Sequence, residues 1–233
     1  MSVFRNEIKY FCSDDEINIL KSRVSTIMAK DPHLADNSFY TIRSIYFDDM
    51  DDTCLRENID GTSPREKWRI RAYDLDQSYI VLECKRKEGC MTQKIQSNIS
   101  YEEFGDIMSN VYFETSGRPL VNRFMALKRS LPLIPKVIVE YRRYPYFFPL
   151  GNVRVTFDQD ICSSADIDRF WEPDIRKRTV LPVGYNLMEI KFDSFIPDHI
   201  IRALQLSEVR RTAFSKYSLC RQYSFTGRPE VYL

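Results

Sequence analysis

Charged and apolar side chains alternate along several short segments of this sequence, at the spacing that places them on opposite faces of a β-strand. Lys67, Arg69 and Arg71 share one phase of such a segment, and Trp68 and Ile70 share the other, because successive side chains of a strand point to opposite faces. Arginine offers a planar fork of donors that matches phosphate and carboxylate oxygens. A face of this kind could bind a polyanion through charge-assisted hydrogen bonds.

The same alternation recurs in four other segments. Their charged phases are Arg5, Glu7 and Lys9; Glu83, Lys85 and Lys87; Arg154, Thr156, Asp158 and Asp160; and Leu187, Glu189, Lys191 and Asp193. The acids among the bases add a second chemistry, because divalent cations prefer carboxylate oxygen. Two interpretations stay open. The charged faces are either the water-facing side of a one-sided antiparallel sheet or the lining of a barrel that encloses a charged ligand.

Motifs for other ways of binding phosphate or activating a nucleophile are missing. The sequence has no GxxxxGK[ST], GxGxxG or GxSxG motif, and it contains only seven glycines and two histidines. These absences argue against a backbone phosphate cradle, a histidine-based nucleophile relay and a zinc hydrolase. The six cysteines show no CxxC spacing, which argues against a structural zinc site. An anionic substrate would therefore have to be held by side chains.

Length and charge restrict the class of protein further. The chain has 233 residues, with 34 Lys and Arg against 33 Asp and Glu, so its net charge is +1. We expect residues 1–233 to form a single domain. The balanced charge, without a basic stripe interleaved with stacking aromatics, argues against nucleic acid as a partner. No signal-peptide pattern or apolar run of about 18 residues is present, which predicts a cytoplasmic protein without a membrane span.

The elements that must position the charged faces are mostly strands. Period-two alternation and β-branched or aromatic residues predict strands at 5–11, 39–49, 66–74, 79–87, 91–96, 136–147, 153–161 and 185–193. Apolar residues at helical spacing predict helices at 14–30, 101–109 and 119–130, and the longest helix at 198–220. Many strands without a strand–helix rhythm predict an α+β protein, with an antiparallel sheet or closed barrel and helices outside it.

Eight short motifs then carry a resemblance to a known family. They occur in the order RNEIKY, SIYFDD, KWRIRAY, LECKRK followed by Lys94, EYRRYPY, VRVTFD, LMEIKFD and FSKY. In this order the sequence resembles the polyphosphate polymerase domain of the vacuolar transporter chaperone (VTC) proteins. That domain belongs to the triphosphate tunnel metalloenzymes, which are related to the CYTH triphosphatases. The resemblance spans nearly the whole chain and implies a closed tunnel of eight antiparallel strands with helices packed outside.

The resemblance also implies an activity and a set of site residues. The activity is a phosphotransferase that passes the γ-phosphate of ATP to a growing inorganic polyphosphate chain, with Mn²⁺ or Mg²⁺ as cofactor. When the roles of the family's residues are transferred to the matching motifs of this sequence, the catalytic residues are Arg69, Arg71, Arg143, Arg154 and Lys216. The substrate-binding residues are Lys9, Lys85, Lys94, Tyr141 and Ser215, and the metal ligand is Glu189. Where Arg142 and Arg143 point to opposite faces, the family pattern selects Arg143.

One departure bears on the choice of reaction. The hydrolytic relatives open with ExExK, whereas this sequence has Arg5, Glu7 and Lys9 at those positions. The missing first carboxylate favours the polymerase. A metal-dependent triphosphatase or polyphosphatase with the same fold, and a non-catalytic polyphosphate-binding module, stay open as alternatives. Glu189 argues against the module, since a passive anion site needs no metal ligand. Whether a membrane-protein partner is required is left open.

Overall fold

The computed structural model describes residues 5–31, 34, 38–89, 91–205, 210–211 and 214–226. The strands are β1 (Asn6–Ser13), β2 (Ala29–Lys30), β3 (Tyr40–Asp48), β4 (Arg65–Tyr73), β5 (Ile80–Glu88), β6 (Met91–Ile99), β7 (Ile134–Phe148), β8 (Val153–Ser164), β9 (Arg178–Thr179), β10 (Tyr185–Phe192) and β11 (Arg210–Arg211). The helices are α1 (Asp14–Ser25), α2 (Thr53–Asp60), α3 (Tyr101–Met108), α4 (Pro119–Ser130), α5 (Asp198–Leu204) and α6 (Lys216–Thr226). The predicted α+β class is confirmed.

All strands join one antiparallel sheet that curls into an open half-barrel. Its order is β11-β1-β10-β8-β7-β3-β4-β5-β6, with β2 beside β7 and β9 beside β8. Within the described part of the chain, eight strands have eight or more residues, which matches the predicted number. The predicted closure is wrong, because β6 pairs with β5 alone among the described strands.

The sequence of β6 gives a physical reason for the open edge. The strand reads MTQKIQSNI, and Ile95 and Ile99 are its residues in the apolar core. Polar edge strands resist pairing with a further strand. Between β5 and β1 an ion pair joins side chains instead, with 3.1 Å between Lys85 Nζ and Glu7 Oε2. Alternation thus identifies the concave face of a sheet, but it does not tell whether the two edges meet.

Two apolar layers cover the convex side of the sheet. Phe124 of α4 packs against Phe47 and Trp68, with ring centroids 5.1 and 5.3 Å apart. On the other half, Ile17 of α1 and Ile200 of α5 are fully buried in a second cluster with residues of β1, β8 and β10. Burial of such side chains is the main favourable term in folding. No helix in the described part of the chain is both long and apolar enough to cross a membrane.

The predicted long helix over 198–220 is wrong. The chain forms α5, leaves the helical conformation at Gln205 and later begins α6 at Lys216. Between the two helices, Arg210 and Arg211 pair with Phe11 and Tyr10 at the edge of β1. Apolar spacing continues through this region, but periodicity alone does not reveal that backbone groups of β1 compete for the segment. The break lets α6 reach the concave side of the sheet.

The phase predicted for the end of β8 is also wrong. Asp158 faces the concave side, but Asp160 is exposed and forms an ion pair with Arg142, at 3.0 Å. The register between β7 and β8 shifts between Glu140 and Arg142, and Asp160 has a positive φ of 54°. This irregularity turns the side chains beyond it, since one extra residue reverses the alternation of a strand.

A buried aspartate fixes α6 to the rest of the fold. Asp48, at the end of β3, accepts hydrogen bonds from the backbone N–H of the next residue, Asp49, and from those of Cys54 and Leu55 in the first turn of α2. It also accepts one from the Tyr217 hydroxyl at 2.5 Å. The strand end, α2 and α6 are therefore held by a single carboxylate. Helix α2 is not among the helices predicted from the sequence.

We expect Tyr217→Phe to lower the free energy of unfolding by about 1.5–3 kcal/mol, because it removes a buried hydrogen bond to a carboxylate. Denaturant unfolding followed by circular dichroism measures this change. Tyr101→Phe is the control, because that ring is 50% exposed, and we expect it to stay within about 0.5 kcal/mol of the native protein. Equal, small effects of both substitutions would contradict the anchoring role of Tyr217.

Candidate functional site

All eleven predicted site residues lie on the concave side of the half-barrel. With their neighbours they form a charged set that we call the lumen cluster. Its basic members are Lys9, Lys67, Arg69, Arg71, Lys85, Lys94, Arg143, Arg154, Lys191 and Lys216, and its acidic members are Asp31, Glu7, Glu83, Asp158 and Glu189. Ten bases thus share the concave side with five acids among the described residues, which leaves an excess of positive charge.

On one wall of the cluster, three cations surround one acid. Glu83 of β5 lies 2.5 Å from Arg69 Nε, 2.5 Å from Lys94 Nζ and 3.5 Å from Arg71 Nη1. Burial alone would raise the pKa of Glu83, but the nearby Arg69, Arg71 and Lys94 hold it well below its usual range. Glu83 is therefore ionised, and it balances only one of the three positive charges. The Tyr46 hydroxyl accepts a further hydrogen bond from Arg69, at 2.7 Å.

On the opposite wall, two acids organise a second group. Both Asp158 oxygens accept hydrogen bonds from Arg143 at 2.7 Å, and Lys216 Nζ lies 2.7 Å from the same carboxylate. Glu189 lies 3.3 Å from Arg143 and 3.5 Å from Lys191. Burial opposes ionisation of Asp158, but Arg143 and Lys216 lower its pKa. The first residue of α6 thus enters the lumen, as the carry-over of the FSKY motif requires.

Tyr141 of β7 lies between the two walls. Its ring centroid is 5.2 Å from the Arg143 guanidinium and 4.8 Å from Lys216 Nζ, which are cation–π distances. Burial lowers the pKa of Arg69 and Arg71, and Arg69 lowers that of Arg71 further. Glu83 outweighs these effects and raises both pKa values, with a smaller contribution from Tyr141 and, at Arg69, from Tyr46. Tyr141 is 4% exposed. Its predicted contact with a phosphate stays a prediction.

Ser215 and Lys9 lie where α6 meets the sheet. The Ser215 hydroxyl accepts hydrogen bonds from Lys67 Nζ at 3.1 Å and from Asn58 at 3.3 Å, and it also caps the Ser218 N–H at the start of α6. Lys9 Nζ donates to the Phe214 carbonyl at 2.8 Å and lies 3.0 Å from Glu7. The substrate-binding roles of Ser215 and Lys9 stay predictions.

Two arginines of the cluster have donors that lack a partner in the described structure. Arg71 Nε and Arg154 Nε are buried and make no hydrogen bond. Both side chains have other contacts: Arg71 Nη1 lies 3.4 Å from the Tyr73 hydroxyl, and Arg154 Nη2 lies 2.6 Å from Asp31 and 3.1 Å from the Tyr40 hydroxyl. A buried donor without a partner costs about 1–3 kcal/mol. An anion in the lumen would satisfy both donors.

Three lysines of the cluster have a lowered pKa. Burial lowers the pKa of Lys67 to about 7, with Lys85 and Lys9 adding to the effect. Burial likewise lowers the pKa of Lys94 to about 7 and of Lys191 to about 8, although Glu83 and Glu189 oppose it. The lumen therefore loses positive charge as the pH rises through neutrality.

Carboxylates that could hold a divalent cation are few. Among the described residues, no group of three or more His, Cys, Asp or Glu side chains is placed to hold a metal ion. Glu7 and Glu189 lie side by side on paired strands. Burial acts to raise the pKa of Glu189, but Lys191, a hydrogen bond with Glu7, and Lys9 together hold it well below its usual range, so Glu189 is ionised. Such a pair fits a cation that takes its remaining ligands from substrate phosphates and water, and it does not fit an all-protein cage.

Several members of the cluster were not among the predicted site residues. Alternation had already placed Lys67, Lys191, Glu7, Glu83 and Asp158 on the charged strand faces, but the family motifs did not select them as ligands. Asp31 could not be identified in this way, because it reaches Arg154 from a loop. Two surface clefts, one between β6 and α4 and one beside α2, contain none of the predicted site residues.

Known proteins share this fold. The family model of the VTC domain matches residues 4–225. The structure resembles a candidate adenylate cyclase from Bacillus halodurans, at 16% identity over 88% of this chain and 87% of that chain, with a TM-score of 0.51. It also resembles a protein from Hippeastrum, named as an adenylyl cyclase with a dominant triphosphatase activity, at 14% identity over 96% of each chain, with a TM-score of 0.54. These identities show the shared fold alone. No curated protein sequence matches the chain.

We expect the affinity for inorganic tripolyphosphate to fall as the pH rises from 7.5 to 9.5. In the ligand-free protein, Lys67 and Lys94 lose their protons above a pH of about 7, and Lys191 loses its proton above about 8. A bound anion favours the protonated lysines, so the protein takes up protons on binding. Each proton taken up on binding gives a slope of roughly tenfold in affinity per pH unit. Calorimetric titration in buffers of different ionisation enthalpy measures both quantities.

The control for this pH dependence is Lys67→Arg, which keeps the charge and should flatten the pH profile. An affinity that is constant or rises over this range, without proton uptake, would show that these lysines do not face the bound anion.

Proposed function

This chain belongs to the VTC domain family, and on that premise we propose that it is an ATP-dependent polyphosphate polymerase. The observation that carries the proposal is the lumen cluster, where positive charge exceeds negative charge and two buried guanidinium donors lack partners among the described residues. An excess of buried charge is costly unless a counter-charge enters. A triphosphate, or the end of a polyphosphate chain, carries several negative charges in a narrow linear shape and would supply that counter-charge.

The proposed reaction transfers the γ-phosphoryl group. An oxygen of the terminal phosphate of polyphosphate attacks the γ-phosphorus of ATP, the bond from that phosphorus to the bridging oxygen of the β-phosphate breaks, and ADP leaves with the electron pair. The nucleophile is already anionic, so no general base has to remove a proton. The protein is then required mainly to position the groups and to neutralise charge. Arg69, Arg71, Arg143, Arg154 and Lys216 would stabilise the transferred group, and Lys9, Lys85, Lys94, Tyr141 and Ser215 would bind the flanking phosphates.

Glu189, with Glu7 beside it, would hold the divalent cation. Mn²⁺ or Mg²⁺ bound there would neutralise charge on the phosphate oxygens during transfer. Both carboxylates already have lysine partners, Lys191 for Glu189 and Lys85 for Glu7. We therefore expect the protein without substrate to bind these cations weakly.

The position of Arg5 supports the polymerase over a hydrolase. Arg5 occurs where the hydrolytic relatives have the first carboxylate of ExExK, and its Nε lies 2.9 Å from Asp193 at the rim. The chain thus has one carboxylate fewer in this motif to hold a metal-activated water. Transfer to a phosphate oxygen does not need such a water. A hydrolase of the same fold is the alternative outcome of the activity test.

The activity test is ³¹P NMR of the purified protein with ATP and Mn²⁺, followed over time. We expect a growing signal of internal phosphates together with ADP. Orthophosphate and ADP without internal phosphates would instead establish a hydrolase. If the protein binds tripolyphosphate but turns over no ATP, it is a polyphosphate-binding module, and the proposed activity is contradicted.

A pair of arginine variants tests the site. We expect Arg71→Ala to weaken tripolyphosphate binding by at least about tenfold, because a hydrogen bond to a charged group contributes roughly 1.5–3 kcal/mol. Arg142→Ala is the control, since Arg142 points to the opposite face of its strand and pairs with Asp160. Calorimetric titration measures both. Equal affinities of the two variants would show that the concave face is not the binding site.

A further inference from the structure

Three tyrosines form a row at one end of the half-barrel. Tyr40 begins β3, Tyr73 ends β4, and Tyr79 directly precedes β5. The ring centroids of Tyr40 and Tyr73 are 5.5 Å apart, and those of Tyr73 and Tyr79 are 5.8 Å apart. Exposure increases along the row, from 8% at Tyr40 to 43% at Tyr79. The row thus leads from the lumen to the surface.

The inner part of this row contacts the two arginines with unpartnered donors. The Tyr73 hydroxyl lies 3.4 Å from Arg71, and the Tyr40 hydroxyl lies 3.1 Å from Arg154. Arg71 Nε and Arg154 Nε are both buried, and neither has a hydrogen-bond partner within the described part of the chain. An anion that reaches these donors would therefore lie next to the tyrosine rings.

The other end of the lumen is occupied by α6. Tyr217 of this helix bonds to Asp48, the last residue of β3, whereas Tyr40 is the first residue of the same strand. Ser215, just before α6, contacts Lys67 near the start of β4, whereas Tyr73 is the last residue of that strand. A linear ligand in the lumen thus has its deep end towards α6 and its outer end towards the tyrosines.

The turn that carries Tyr79 has a defined conformation. Asp74 and Leu75 have φ values of 48° and 59°, which are uncommon for residues other than glycine. Asp74 is fixed to β3 by two hydrogen bonds with Thr41: its N–H donates to the Thr41 carbonyl at 2.9 Å, and its carboxylate accepts from the Thr41 N–H at 2.7 Å. Asp76 accepts from the Ser78 N–H at 2.8 Å. Tyr79 is therefore presented next to Tyr73 before a ligand arrives.

We propose that Tyr79 and Tyr73 form a stacking surface for the base of a nucleoside triphosphate whose phosphates lie in the lumen. The inference rests on the proposed function and extends it to the nucleoside part of the substrate. The α-phosphate then lies near Arg71 and Arg154, and the γ-phosphate points towards Lys216. Every base has a π-face that can stack on an aromatic ring, so the surface selects nucleotides over inorganic triphosphate without selecting one base.

The test compares ATP with inorganic tripolyphosphate, because the two share the phosphates and differ in the nucleoside. Replacing a stacking aromatic by alanine removes its stacking contribution to the binding of the base. We expect Tyr79→Ala to weaken ATP binding by roughly tenfold in calorimetric titration and to leave tripolyphosphate binding within about twofold. Tyr79→Phe should keep the native affinity for ATP. Tyr112→Ala is the control, since Tyr112 is 44% exposed elsewhere on the surface, and it should change neither affinity.

Equal affinities of native protein and Tyr79→Ala for ATP would overturn the stacking surface, as would equal losses for ATP and tripolyphosphate. Neither result bears on polyphosphate synthesis, which the NMR assay reports separately. Failure of the native protein to bind either ligand would instead overturn the proposed function, and the stacking surface with it.

Discussion

The rest of this structure depends on an excess of positive charge on the concave side of the curled sheet. The carboxylates of the lumen cluster do not balance this charge. Glu83 compensates for one of three adjacent cations. Arg71 and Arg154 each have a buried donor that finds no partner in the part of the chain that the structure describes. Removing charge from water is unfavourable unless opposite charge accompanies it. The apolar convex layers offset this cost. Phe124, between Phe47 and Trp68, belongs to one of the buried clusters that hold the sheet in its curled shape.

The lumen cluster is a product of tertiary structure. Lys216 belongs to a helix near the end of the described chain, yet it meets Asp158 of β8 at 2.7 Å. That contact depends on Asp48, which ties α6 to α2 and to the end of β3. Elements distant in sequence therefore set the depth of the lumen, while the open end is formed by the tyrosine row. A linear anion fits this arrangement, because it can satisfy both walls along its length.

Alternation predicted much of the fold and the site, because it reports on the two faces of each strand. It separated Arg71 from Ile70 and, with the motif order, Arg143 from Arg142. It failed where geometry depends on distant partners. The polar edge of β6 left the barrel open, the irregularity beside Glu140 moved Asp160 outwards, and pairing at the edge of β1 accompanies the break in the expected helix. None of these features changes the local pattern of apolar residues, so the periodicity of the sequence could not predict them.

The most direct test of the account is the ¹H–¹⁵N NMR spectrum of the arginine Nε–H groups during titration with inorganic tripolyphosphate. We expect the signals of Arg71 and Arg154 to shift and to exchange more slowly with water, because their Nε–H groups gain an acceptor. The signal of Arg142, whose Nε already lies 3.0 Å from Asp160 on the outer face, should stay unchanged. Saturating binding without a change at Arg71 and Arg154 would show that the anion lies elsewhere, and it would contradict the central claim.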